Sequence, residues 1–374
     1  MAIRLAYYHP SVLNTEAHNE YPELRALSHF RNLFGDTGTR SHVLIDRSGV
    51  IKTPVRTKIL HPIPALRPMG KTFEEICNER AIELVRHAED LNMPLYVFWS
   101  GGIDSTLVLV SLLKNTTRDK LDNVVVLMTE ESIAENPNFY RDHIRGKLQI
   151  GSSALVPYIV GSRAVITNGD LNDPVFGMGT AGRMMKFFGA DIIHKPYERE
   201  KLFTFFNRGV QNEQMTNLYL ELFERLVRAA PVEIKSYFDY VWWLNFSLKW
   251  QFSSMKMITA TSKLAAPLVT VDYMRSQFLP FYGTEDFQLW SMLNPDKKMK
   301  DTWRSFKWIC KDIIYDYTGD EEYRDNKMKT GSMRHLFSGE RAFRYIDEHM
   351  HFYRTLDPSE YYDPENDFAQ LLRV

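Results

Sequence analysis

The sequence predicts an α/β protein built on a doubly wound, mostly parallel sheet, with a large helical C-terminal part. Pro94–Trp99 and Asn123–Met128 are continuous apolar runs of the kind buried on both faces of a parallel sheet. Each is followed by apolar residues at helical spacing, so strand and helix alternate between residues 71 and 197. Beyond about Glu198 only long helical periodicities follow, including Leu218–Val227 and Trp303–Ile314.

Element by element, residues 1–70 form an N-terminal extension rich in Pro and polar residues. Its one local signal is a pair of β-prone runs, His42–Asp46 and Val50–Pro54, around the Gly-containing turn Arg47–Gly49, which predicts a short hairpin. Residues 71–197 form the α/β core. It opens with a helix over Thr72–Leu91, with Phe73, Ile76, Ala81, Leu84, Val85 and Ala88 on one face and Asn92 as terminator. Then come strand Pro94–Trp99, a helix over Leu107–Leu113, strand Asn123–Met128, a helix near Pro137–Gln149 and strand Arg163–Thr167. Residues 198–374 are read as a mainly helical region.

Composition narrows the function classes. In 374 residues, 44 % hydrophobic and 25 % charged, there is material for a full core and no signature of disorder, collagen or coiled coil. Lys plus Arg number 46 against 47 Asp plus Glu, which removes a whole-protein electrostatic case for nucleic-acid or anionic-membrane binding. Cys77 and Cys310 alone cannot build a disulfide framework or a Cys-based zinc site, and a reducing, cytoplasmic compartment is expected. The N-terminus lacks the apolar run of a signal peptide. The most apolar later stretch, Tyr237–Ile258, carries Asp239, Lys249 and Lys256, so it reads as a buried or amphipathic helix and not a membrane span.

The chemistry concentrates in Ser100-Gly-Gly-Ile-Asp-Ser-Thr106, between a buried strand and a helix start. Free backbone N–H groups and the helix dipole make such a junction an anion site. Gly101 and Gly102 let the backbone approach a phosphate, and Ser100, Ser105 and Thr106 offer hydroxyl donors. The loop lacks the Lys of a Walker A sequence. A carboxylate among phosphate ligands repels them, so Asp104 implies a divalent cation bridging it to the phosphates. The alternative is a Gly-rich turn with an Asp helix cap.

This string, Ser100-Gly-Gly-Ile-Asp-Ser105, resembles the SGGxDS signature of the PP-loop ATP pyrophosphatases, a HUP-like fold. Within them it looks most like the synthetase domain of asparagine synthetase and β-lactam synthetase. The resemblance covers roughly residues 71–335 and implies cleavage of ATP between the α- and β-phosphates with Mg²⁺. Gly169-Asp-Leu-Asn-Asp-Pro-Val-Phe-Gly177 resembles the family's GDGADELFGG stretch, which puts Asp173 on the second metal-binding carboxylate and Asp170 on an acid/base position. Asp104 and Asp173 both follow parallel strands and are expected to face one Mg²⁺ site. Asn326–Ser332 resembles the RPKxGF-like segment, placing Lys329 on a lysine that stabilises the leaving pyrophosphate, and Lys307 resembles a second such lysine. Ile103, Met128 and Gly169 complete the expected nucleotide-facing set. Leu279–Tyr282 resembles the PFLD segment without its Asp. Pro174 replaces the Glu of the DE pair, and Leu171-Asn172 replaces Gly-Ala. No cysteine stands near the N-terminus, so glutamine hydrolysis by this chain is not expected.

The resemblance implies an AMP-forming synthetase that adenylates a small-molecule carboxylate and passes the acyl group to an amine. Alternatives are a nucleobase- or tRNA-modifying PP-loop enzyme and a catalytically silent ATP-binding protein. The tRNA alternative draws on a basic stretch, Lys297, Lys298, Lys300, Arg304, Lys307 and Lys311, interleaved with Trp303 and Trp308, which reads more readily as a helix with one solvated cationic face. Aromatics at Tyr237, Phe238, Tyr240, Trp242, Trp243, Phe246 and Trp250 read as core or as a substrate wall. His349 and His351 read as surface residues, the cysteines as buried. A homo-oligomer is left open.

Overall fold

The computed structural model describes residues 44–52, 58–153, 160–161, 163–177, 179–261 and 269–327, with the short stretches 345–346, 352–353, 361–362 and 364–365. Helix α1, Phe73–Asp90, starts at a capping box in which Thr72 and Glu75 satisfy each other's backbone amides, and it buries the apolar face the sequence marks. The chain leaves it at Asn92, whose φ of 50° turns it toward the sheet. Strand β1, Leu95–Phe98, then feeds α2, Ile103–Asn115. Next come β2, Val124–Met128, and α3, Glu130–Glu135. Strands β3, Gln149–Ser152, and β4, Val165–Thr167, complete a four-stranded, all-parallel sheet in the order β3-β2-β1-β4.

Both faces of this sheet are covered. Leu95, Val97, Val124, Val126 and Val165 join the main core with α1 and α2, whereas Phe98, Leu127 and Ile166 face a second cluster with Met255, Met257, Val271 and Phe278. The period-two alternation therefore separates two buried sides, as continuous apolar strands require. The chain steps outward from β1 to β2 to β3, then returns to place β4 on the other side of β1. The order reverses between β1 and β4, so the loops after these two strands flank one crevice.

Helices follow β4: α4, Asn172–Phe176; α5, Gly179–Phe188; α6, Arg199–Val210; α7, Glu213–Arg228; α8, Tyr237–Leu248; and α9, Trp250–Thr261. Further on lie α10, Glu285–Leu293, α11, Trp308–Thr318, and α12, Glu321–Asn326. The aromatic run on α8 is core and not a substrate wall: all seven rings from Tyr237 to Trp250 are buried. Among the described residues no helix is long and apolar enough to cross a membrane.

Four expectations need correction. The hairpin is absent from residues 44–52: the amides of Ile45 and Arg47 bond the carbonyls of Leu248 and Ser247 at 3.1 and 3.0 Å instead of a partner strand. The turn itself is present, with Asp46 accepting from the Ser48 and Ile51 amides at 2.8 Å each. The helix near Pro137–Gln149 is one short turn, Pro137–Phe139, and a wide five-residue turn, Tyr140–Ile144, and Gln149 instead opens β3. The helix expected from Trp303 starts only at Trp308, because Lys307 takes a left-handed backbone (φ 58°) in front of it. The basic stretch is accordingly no continuous cationic face: Lys298 and Lys307 are buried, and Lys311 Nζ bonds the Arg304 carbonyl at 2.6 Å. In the C-terminal stretch three two-residue strands, Tyr345–Ile346, Phe352–Tyr353 and Tyr361–Tyr362, pair antiparallel.

Candidate nucleotide site

The loop after β1 is held in shape by its own residues and by two neighbours. Gly101 has φ 71°, and a Cβ there would lie 2.4 Å from the Ser132 carbonyl oxygen and 2.8 Å from Glu135 Cβ, so only glycine lets the loop lie on α3. Ser100 Oγ accepts from the Gly102 amide at 3.3 Å, and Ser105 Oγ accepts from the Ser100 amide at 3.0 Å. Gly102 is the N-cap of α2 and supplies no side-chain cap, leaving the positive end of a 13-residue helix facing the crevice. Ile103 packs partly against the core.

Thr106 turns inward, contrary to its expected role as a phosphate donor. It is fully buried, with its hydroxyl accepting from the Trp99 indole at 3.1 Å. Tyr323 of α12 donates to the Gly101 carbonyl at 2.9 Å and lies 3.3 Å from Thr106 Oγ1. Met128, the last residue of β2, is also fully buried in the core.

The loop after β4 lies directly against this one. A Cβ on Gly169 would come within 2.9 Å of the Asp104 carbonyl carbon and 3.1 Å of Asp104 Cβ, so the missing side chain sets the approach of the two loops. Asn172 donates to Asp104 Oδ1 at 2.7 Å and points at Cys310 Sγ at 3.5 Å. Burial pushes the Cys310 thiol up to about 12, so it is no nucleophile. Asp170 accepts from Asn168 Nδ2 at 3.2 Å. Pro174 sits in the first turn of α4, where an amide has no intrahelical acceptor, so it leaves that turn intact.

Asp104 and Asp173 do converge, and the group between them is Lys307. Its ammonium lies 2.6 and 2.8 Å from the two oxygens of Asp104 and 2.6 Å from Asp173 Oδ1. Its side chain is 5 % exposed, against 27 % for Asp104 and 39 % for Asp173. Burial pulls the ammonium pKa down, but the two carboxylates outweigh that and hold it above the ordinary lysine value. The Lys307 amide bonds the Lys298 carbonyl at 3.1 Å, which fixes the left-handed turn that aims the side chain. Lys329 lies outside the described residues.

Sequence reasoning missed four contributors. Tyr282, in the segment that runs beside β4, donates to the Asp104 carbonyl at 2.8 Å. Tyr323 closes the loop from α12. Glu135 and Lys327 form an ion pair of 2.8 Å whose side chains are 3 % and 6 % exposed, against the same loop. Two carried a signal: Lys327 as a neighbour of Lys329 in Asn326–Ser332, and Tyr282 as the last residue of the PFLD-like Leu279–Tyr282.

Comparisons of the chain with family models, with curated proteins and with solved structures find no match. The case for a function therefore rests on these residues. Among the described residues no group of three or more His, Cys, Asp or Glu side chains converges as a self-contained metal site. Two carboxylates directed at one point are nonetheless the protein share that Mg²⁺ takes when phosphates and water complete its shell. The donor set fits that ion, and Lys307 stands at the same point.

Proposed function

We propose that the chain is an ATP-dependent, AMP-forming synthetase of the PP-loop kind, joining a small-molecule carboxylate to an amine. The observation that carries this reading is the convergence of Asp104, Asp173 and Lys307 at the mouth of the Ser100–Thr106 loop, where the strand order reverses. The loop amides and the α2 N-terminus take the polyphosphate. When bound, Mg²⁺ would be held by Asp104 and Asp173 and would neutralise charge on the phosphate oxygens. A substrate carboxylate oxygen attacks the α-phosphorus, the bond from that phosphorus to the bridging oxygen breaks, and pyrophosphate leaves. Lys307, whose ammonium stands at the same point, stabilises the charge that builds on the leaving group. The amine then attacks the acyl-adenylate carbonyl, Asp170 accepts its proton, and AMP departs. Burial of Lys298 and Lys307 takes two of the six cations from the surface that the nucleic-acid alternative needs, while Lys297, Lys300 and Arg304 stay exposed.

The test is exchange of labelled pyrophosphate into ATP with pooled carboxylates. Carboxylate-dependent exchange that disappears in Asp104→Ala, with an unchanged circular dichroism spectrum, supports the proposal. Full exchange in that variant contradicts it.

A further inference from the structure

We infer that Lys307 and a divalent cation are mutually exclusive occupants of the Asp104–Asp173 pair, so that loading the metal requires the ammonium to leave. This deepens the proposed function and rests on it only for the identity of the nucleotide. The ammonium touches both Asp104 oxygens and the near oxygen of Asp173, all within 2.8 Å, which is the point a shared metal would need. A second cation cannot enter while the first remains, by volume and by charge. The Lys307 backbone is left-handed and tied to the Lys298 carbonyl, while its ammonium bonds Asp104 and Asp173 and lies 5.4 Å from the Phe306 ring. With nucleotide absent, the ammonium neutralises two neighbouring carboxylates that would otherwise repel each other. With a metal–polyphosphate present, the metal takes the carboxylates and the ammonium is released toward the new negative charge. The lysine is thus a resident counter-cation that keeps the site closed to metal alone.

The experiment is titration of the full-length chain with Mn²⁺, a hard divalent probe with the same preference for oxygen ligands, read by the electron paramagnetic resonance of free Mn²⁺ in the absence of nucleotide. Lys307→Met is expected to bind one Mn²⁺ at least about tenfold more tightly than the wild type. Lys307→Arg, which restores the charge, is expected to stay weak, and Asp173→Asn added to Lys307→Met is expected to abolish the gain. Lys307→Gln serves the same purpose if the Met variant does not fold. Equal Mn²⁺ affinity in wild type and Lys307→Met overturns the inference, as does a gain in Lys307→Arg as large as in Lys307→Met. A separate arm adds α,β-methylene-ATP to the wild type. Mn²⁺ uptake there beyond that of the same nucleotide without protein supports both the exchange and the nucleotide reading. A gain in Lys307→Met with no uptake in that arm supports the exclusion while refuting the nucleotide.

Discussion

Gly169 carries as much of the site as any charged residue, because it lets the loop after β4 rest on Asp104. Gly169→Ala would push a methyl carbon to 2.9 Å from the Asp104 backbone. The account predicts that it weakens ATP binding by about tenfold in isothermal titration while leaving the far-ultraviolet spectrum unchanged. The buried Glu135–Lys327 pair makes a different demand. Lys327→Met deprives a buried carboxylate of its cation and should cost about 3 kcal/mol in urea unfolding, and adding Glu135→Gln should recover most of that. An unchanged unfolding midpoint in the single variant would show that the pair carries no such weight.

Among elements, α1 and the β1–loop–α2 unit were legible because local signals agree: capping residues, helical spacing, a continuous apolar strand, and glycines where the backbone turns back. Thr72→Ala should lower stability by about 1 kcal/mol, since it removes one half of the capping box, and thermal unfolding measures this. The elements that escaped the sequence take their pairing from distant partners. Strand β3 is a four-residue edge, Gln149-Ile-Gly-Ser, with no alternation to announce it, and parallel pairing to β2 makes it a strand. Residues 44–52 had the residues of a hairpin, but carbonyls at the end of α8 outcompete a local partner. The break at Lys307 was hidden because a left-handed lysine leaves no mark in a helical periodicity. The same break brings the side chain to carboxylates 203 and 134 positions away in the chain. Asp104 was readable from its loop between strand and helix and Asp173 only through the resemblance carried by Gly169–Gly177, whereas Tyr282 and Tyr323 act through long-range bonds that no spacing encodes.

At the scale of the whole molecule, one main core runs from Leu44 to Tyr323 and joins the parallel sheet to the C-terminal helices. His61 reports on its integrity. Burial, and then the nearby Arg47, Arg80 and Arg275, push its imidazole down to about 4. The unfolded chain therefore binds a proton below pH 6.5 that the folded chain refuses, so this contribution is complete above that pH and is lost as pH falls toward 4. It amounts to up to about 3 kcal/mol. His61→Asn should flatten that part of the stability–pH curve in urea unfolding, and an unaltered slope would contradict the assignment. The convergence of Asp104, Asp173 and Lys307 at the reversal of strand order is also a property of the whole fold. Its most direct test is phosphorus-31 nuclear magnetic resonance of the full-length chain turning over Mg-ATP with pooled amino acids and ammonia. The account predicts AMP and pyrophosphate, formed only when an acceptor carboxylate is present, and accumulation of ADP and phosphate would contradict it.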